Sequence, residues 1–157
     1  MMPAMQDNHA FASGVARRIG GLADALDRIP YWLVAIPLRI AVADVFWSSA
    51  LTHAANWQTT LYQFENDYQV PLLRPALVAY LAVAIEFTTP PLLVLGLATR
   101  LASLVLLGMV AVIEIFVYPQ AWPTHIQWAA MLFVLFARGP GSLSVDAVIR
   151  RYALCGG

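Results

Sequence analysis

Residues 75–97 read Pro75-Ala-Leu-Val-Ala-Tyr-Leu-Ala-Val-Ala-Ile-Glu86-Phe-Thr-Thr-Pro-Pro91-Leu-Leu-Val-Leu-Gly96-Leu97, an apolar stretch whose one charged side chain is Glu86. A bilayer's hydrocarbon core is about 30 Å thick and takes roughly 20 apolar helical residues to cross. The stretch is long enough, so it is read as a spanning helix. Two stretches of the same kind flank it, Tyr31 to Ala54 before and Arg100 to Tyr118 after. A fourth, Thr124 to Ala137, reaches only about 21 Å at about 1.5 Å per residue. It either thins the bilayer locally, begins earlier near Trp122, or re-enters without crossing. The expected fold is all-α, a polytopic membrane four-helix bundle running up-down-up-down, with interfacial helices at the N-terminus, in the outer loop and at the C-terminus.

Composition points the same way. The chain is 61% hydrophobic and 11% charged, against roughly 45–50% apolar in an ordinary soluble domain, and its mean hydropathy is +0.69. Formal net charge is zero and all nine basic residues are arginine, so no basic face for nucleic acid is expected. Cys155 is the one cysteine, which excludes an internal disulfide, a CxxC redox pair and a cysteine-built metal site. Met1 to Ala10 has no basic region followed by an apolar core, so no cleaved leader is expected there.

Three segments follow. Residues 1–30 form a cytoplasmic amphipathic segment, because Phe11, Val15, Ile19, Leu22, Leu26 and Ile29 recur at helical spacing with Arg17, Arg18, Asp24, Asp27 and Arg28 between them. Such a helix is too polar to span and rests on the membrane surface or the bundle end. Residues 31–138 hold the four spans, and residues 139–157 a cytoplasmic tail. Between the first two spans, Trp57, Leu61, Phe64 and Tyr68 mark a short aromatic-faced helix at the opposite interface. Gly96 is expected to end the second span in the left-handed conformation and Thr99 to cap the third. Ser144 is expected to cap a terminal helix, with Asp146 in its first turn and Arg150 and Arg151 in its last. With the N-terminus inside, seven arginines fall on the cytoplasmic side and Arg74 alone outside, which places both termini in the cytoplasm.

The ionisable residues inside the apolar stretches are Arg39, Asp44, Glu86 and Glu114. Each costs at least about 2.5–3.5 kcal/mol at membrane depth and so should face the bundle interior and find a partner. Arg39 can snorkel toward the cytoplasmic end, whereas Asp44 needs a donor from another helix. Pro90 and Pro91 remove two amide donors and free the carbonyls of Glu86 and Phe87, so Glu86 either sits in a polar place that can hold a proton, a water or a ligand group, or is a protonated carboxyl donating one hydrogen bond to a neighbouring helix. Nearer the outer end lie His53, Glu114, Tyr118, His125 and Gln127, which with Glu86 could line one outward-facing pocket. Two histidines with one or two carboxylates would suit a divalent metal or a quinone headgroup. No HxxxH, HExxH or ExxH spacing is present, and no cofactor motif is evident.

The turn Gly96-Leu-Ala-Thr-Arg100 and the ending Gly139-Pro-Gly-Ser-Leu-Ser-Val-Asp146 together resemble the DoxX family of bacterial integral membrane proteins, over about Pro37 to Arg151. Arg39, Phe46, Glu86, Gly96, Arg100, Gly139, Gly141, Ser144 and Asp146 match the family pattern, while Ala50 and His53 stand where that pattern has a Gly and a Lys. The resemblance implies a bacterial inner-membrane protein whose partners are the lipid bilayer and a membrane or peripheral protein. It implies a non-catalytic component of a redox- or metal-stress system. The alternatives are the membrane subunit of a thiosulfate:quinone-type oxidoreductase, or a small transporter of metal or peptide. Electron transfer would then need a cofactor on a partner.

Overall fold

The structure is a computed structural model that describes residues 20, 21, 24, 26–68, 70, 71 and 73–155; among them there are helices and turns and no strand. The chain divides into two units, Met1–Pro30 and Tyr31–Gly157. In the first, residues 20, 21, 24, 26 and 27 are helical, and the Ile29 amide donates to the Leu26 carbonyl at 3.0 Å. Most of the expected amphipathic helix, including Phe11, Val15, Arg17, Arg18, Ile19 and Leu22, lies outside the described residues.

The second unit contains α1 (Trp32–Ala55), α2 (Trp57–Asn66), α3 (Pro75–Leu95), α4 (Thr99–Val112), α5 (Trp122–Arg138) and α6 (Val145–Cys155). A π-helical turn, Ile113–Val117, extends α4, and a 3-10 turn, Pro119–Ala121, leads into α5. Trp32–Ala55, Pro75–Leu95 and Thr99–Val117 are long and apolar enough to cross a membrane. Helix α5 begins at Trp122, the earlier of the starts considered above, and its 17 residues rise about 25 Å.

Helix α1 packs against α3 and α5, and α4 packs against the same two. The contacts give the directions. His53 meets Glu86 and Arg39 lies beside Gly96, so α1 and α3 run antiparallel; Phe46 meets Trp128 and Tyr31 meets Gly139, and α1 and α5 do likewise. Every helix thus buries a stripe against two neighbours. Val42, Ala43 and Phe46 of α1, Leu93 of α3, Ala102, Leu106 and Val110 of α4, and Leu132 and Leu135 of α5 form one core. In α4 and α5 their spacings of four and three put them on one face of each helix, and in α1 Ala43 adjoins the four-residue step from Val42 to Phe46.

At one end of this core the helix termini are tied together. Gly96 closes α3 with φ +67°, and the Leu97 amide reaches back to the Leu92 carbonyl at 2.9 Å, the bond that satisfies a terminal helix carbonyl. The sequence expectation that Thr99 caps α4 is overturned. Asp146 does so instead: Oδ1 accepts from the Ala98 amide at 2.8 Å and Oδ2 from the Thr99 amide at 3.1 Å. A carboxylate at a helix N-terminus is a stronger acceptor than a hydroxyl and complements the dipole. The Thr99 hydroxyl is buried without a partner. Asp146 also donates its amide to the Gly96 carbonyl at 3.0 Å.

Arg39 does not snorkel. It is buried, and its Nη1 donates to the carbonyls of Pro140 at 3.3 Å and Leu143 at 3.1 Å, which belong to non-helical chain and have no helical donor. A Cβ on Gly96 would collide with that Arg39 nitrogen and lie 2.5 Å from the Ser144 Cβ. Ser144 accepts from the Ala147 amide at 3.2 Å, a cap for α6. Since α6 runs on to Cys155, Arg150 and Arg151 lie in its middle rather than its last turn. Gly139 and Gly141 turn the chain with φ +79° and +84°, and Gly141 passes against Trp32 and Ala35 of α1. Arg100 donates to the Ala137 carbonyl at 3.3 Å, and the Tyr31 hydroxyl to that of Gly139 at 2.9 Å.

Gly96→Ala combines a left-handed alanine, about 1–2 kcal/mol, with overpacking of about 1–3 kcal/mol. It should therefore lower stability by about 2–4 kcal/mol, read as a drop in unfolding midpoint in detergent. Ser103→Ala should act the other way, because its buried hydroxyl is unpartnered and alanine is the better helix former; a gain of about 1 kcal/mol is expected.

Candidate functional site

At the other end, a cavity of about 580 Å³ opens among α1, α3, α4 and α5 beneath α2. Its walls are mostly aliphatic. Leu81 of α3 and Val105 of α4 line it and are also exposed at the outer surface, so the cavity reaches that surface along the α3–α4 seam. The space beside Gly108 is open, since a Cβ there would touch nothing within 4 Å.

The polar groups are few. Glu86, on the buried stripe of α3, accepts from Ser49 Oγ at 2.8 Å through Oε1, and His53 Nδ1 lies 2.8 Å from Oε2. Ser49 and His53 stand four apart on α1 and so share a face. A second pair, His125 Nδ1 and Glu114 Oε2, closes at 2.6 Å between α5 and the π-helical turn. In that turn the Tyr118 amide bonds to the Ile113 carbonyl, five residues back. The widened turn, of a kind that recurs at functional sites, carries Glu114. In both pairs the carboxylate meets Nδ1, a geometry that assigns the neutral-ring proton to that nitrogen and leaves Nε2 as an acceptor.

Helix α2 forms the cover. Asn56 caps it by accepting from the Thr59 amide, and the buried Thr60 hydroxyl donates to the His53 carbonyl at 2.7 Å, which ties the cover to the end of α1. Phe64 meets the His53 ring edge-on at 5.9 Å, and Tyr68 follows Phe64 at 4.9 Å and precedes Tyr118 at 5.6 Å. The Tyr118 hydroxyl donates to that of Tyr68 at 3.3 Å. Burial first, and the Tyr118 hydrogen bond second, push the Tyr68 phenol above its ordinary pKa; it therefore stays protonated at neutral pH.

Of the residues singled out in the sequence, His53, Glu86, Tyr118 and His125 line the cavity, and Glu114 is held at its edge by His125. Gln127 does not join them. It is exposed, two residues and so about 200° around the helix from His125. Arg39 belongs to the opposite end, with Gly96, Arg100, Gly139, Gly141, Ser144 and Asp146. The expectation for Asp44 also fails: it lies exposed on the outer face of α1 with no side-chain partner among the described residues, because α1 turns Ala35, Arg39, Val42, Ala43, Phe46 and Ala50 inward. Ser49 was missed, although its four-residue spacing from His53 was available as a signal. Thr88 and Thr89 bond to the Ala84 and Ile85 carbonyls, not to those freed by the prolines. Among the described residues, no three His, Cys, Asp or Glu side chains converge closely enough to hold a metal ion.

The DoxX family model matches residues 34–119, more than half of the chain, and the chain belongs to the DoxX family. The match covers α1 to α4 and the π-helical turn; the Gly139–Asp146 segment lies beyond it. Comparison with curated proteins and with solved structures finds no match.

Glu86→Leu would leave the Ser49 hydroxyl and His53 Nδ1 without their acceptor, each orphaned buried group costing about 1–3 kcal/mol. It should lower stability by about 2–4 kcal/mol. Glu86→Gln retains an acceptor for Ser49 and a donor that the other imidazole tautomer can receive, so its unfolding midpoint should stay much nearer wild type. Equal losses in the two variants would mean that the site requires a carboxylate.

Proposed function

We propose that this DoxX-family chain spans a bacterial inner membrane four times as an up-down-up-down bundle, with both termini in the cytoplasm. Its cavity, on this reading, holds a lipid-soluble ligand with hydrogen-bonding oxygens, of the quinone type. Residues 1–30 are the cytoplasmic amphipathic segment, residues 31–138 hold the spans, and residues 139–157 form the cytoplasmic tail. Helix α2 lies at the outer interface and α6 at the inner one. The arginine distribution supports the orientation: Arg100, Arg138, Arg150 and Arg151 gather toward the Gly96 end, and Arg74 stands at the start of α3, toward the His53 end.

The single observation that carries the ligand reading is the union of an aliphatic cavity, reaching the α3–α4 surface, with two histidines oriented by carboxylates, His125 buried and His53 half-buried. Binding sites of this kind are mainly apolar with a few placed polar groups. A quinone ring and tail would suit the walls, its carbonyl oxygens the tyrosine donors and, in the reduced form, its hydroxyls the Nε2 acceptors of the two histidines. When bound, a quinone would supply electron acceptance. The chain's own residues would bind and orient it, exclude water and hold protons at the histidine rings and carboxylates. Electrons would come from a partner protein, so the chain by itself is a non-catalytic component of a redox system. The redox- or metal-stress setting is what the resemblance suggests, and subunit of a quinone-linked oxidoreductase is the second reading that the same cavity favours. Transport of a metal or peptide is not favoured by any arrangement of side chains described above.

Reporter fusions at Gly157 and within the α1–α3 connection should read inside and outside respectively; an outward C-terminal reporter would overturn the topology. A short-chain quinone should raise the unfolding midpoint of the purified protein, since saturation at 100 times Kd stabilises by about 2.7 kcal/mol. Replacing His53 and His125 together by alanine should remove that shift. No shift with wild type, or an undiminished shift in the double variant, rejects the quinone reading.

A further inference from the structure

Asp44 is the thirteenth residue of the 24-residue helix α1, at the middle of a segment apolar enough to cross a membrane. Its side chain is exposed and, among the described residues, has no hydrogen bond or ion pair. A carboxyl group at that depth cannot be left against lipid tails without a hydrogen-bonding partner. Something polar must therefore cover this face of α1.

The surroundings of Asp44 say what fits. At about 100° per residue, Pro37 and Ala55 project about 20° to one side of Asp44, Ser48 about 40° and Ala41 about 60°. On the other side, Leu51 projects about 20°, Ile40 about 40° and Trp47 about 60°. All of these residues are exposed. The face is therefore bevelled, with small side chains on one flank and bulky ones on the other. A two-fold axis parallel to the helix sets the small flank of one copy against the bulky flank of the second, on both sides of the axis at once, which is the self-complementarity of an isologous contact. Small residues also allow membrane helices to approach closely. On the axis, Asp44 meets the same residue of the other copy at the same depth. A carboxylic acid is both donor and acceptor when protonated, so two such groups can satisfy each other.

We propose that the outward face of α1 is a pairing surface for a second copy of this chain, centred on a reciprocal Asp44–Asp44 hydrogen bond. The inference rests on α1 lying across a membrane and is independent of what the cavity holds. Helix α1 packs chiefly against α3 and α5, and a partner on its outward face leaves the α3–α4 seam open.

The full chain, with Cys155→Ser, is reconstituted in phosphatidylcholine vesicles at low protein-to-lipid ratio and oxidised with copper phenanthroline. Leu51→Cys, near the axis, should form a disulfide-linked dimer, whereas Phe133→Cys on the exposed face of α5 should not. Added to Leu51→Cys, Asp44→Leu should reduce cross-linking at least ten-fold and Asp44→Asn, still donor and acceptor, by less than two-fold. Failure of Leu51→Cys to cross-link, equal cross-linking through Phe133→Cys, undiminished cross-linking with Asp44→Leu or loss with Asp44→Asn would each overturn the proposal. Förster transfer between labelled copies of the Cys155→Ser chain gives a second readout without new cysteines. Monomers by that measure would mean that a different helix covers Asp44, and the proposal would fall.

Discussion

The Asp146 carboxylate binds the two free amides that begin α4, and the arrangement of the Gly96 end depends on that contact. It fastens the C-terminal segment to the hairpin joining α3 and α4. Once the segment lies there, the carbonyls of Pro140 and Leu143 face Arg39 of α1. One carboxylate and one guanidinium thus tie α1, the α3–α4 hairpin and the start of α6 into a single unit. Gly96 is needed where they meet, since a side chain would occupy the space taken by Arg39 and Ser144. The logic is that of a solvent unable to hydrogen-bond: helix ends whose amides and carbonyls lack partners are expensive, and side chains from distant sequence supply them.

The two ends of the core solve that constraint differently. At the Gly96 end, charged side chains are used on backbone groups. At the His53 end, polar side chains are paired with one another, imidazole to carboxylate, and the backbone is satisfied locally through Asn56, Thr60 and the π-helical turn. Side-chain pairs retain unused atoms, here the Nε2 of each histidine, that a third group can engage.

Much of the fold was legible because it is written in local spacing. The apolar stretches, the left-handed Gly96, the Ser144 cap and the short helix from Trp57 follow from residues within a turn or two of each other. Gln127 was also decidable, as it falls opposite the stripe through His125, Leu132 and Leu135. The role of Asp146 was not, because its amide partners lie some fifty residues away and Thr99 offered a plausible local cap. Asp44 misled for a related reason: the rule that a charge turns inward assumes that the single chain is the whole protein. Arg39 misled in the opposite sense, snorkelling being the option for a cation that has no buried carbonyls to meet.

The position of the cavity follows from the same helical faces. Helix α1 sends Phe46 toward Trp128 of α5 and Trp47 toward Phe87 of α3, filling both of its seams with aromatic rings. Between α3 and α4 the facing residues at the His53 end are smaller: Ala82 and Val78 on one helix, Val105 and Gly108 on the other. The hairpin at Gly96 joins the far ends of the two helices, and the Tyr68–Tyr118 contact lies at the other end of the seam. The opening is thus a consequence of side-chain size at one seam, and it faces the side from which a lipid-soluble molecule would arrive.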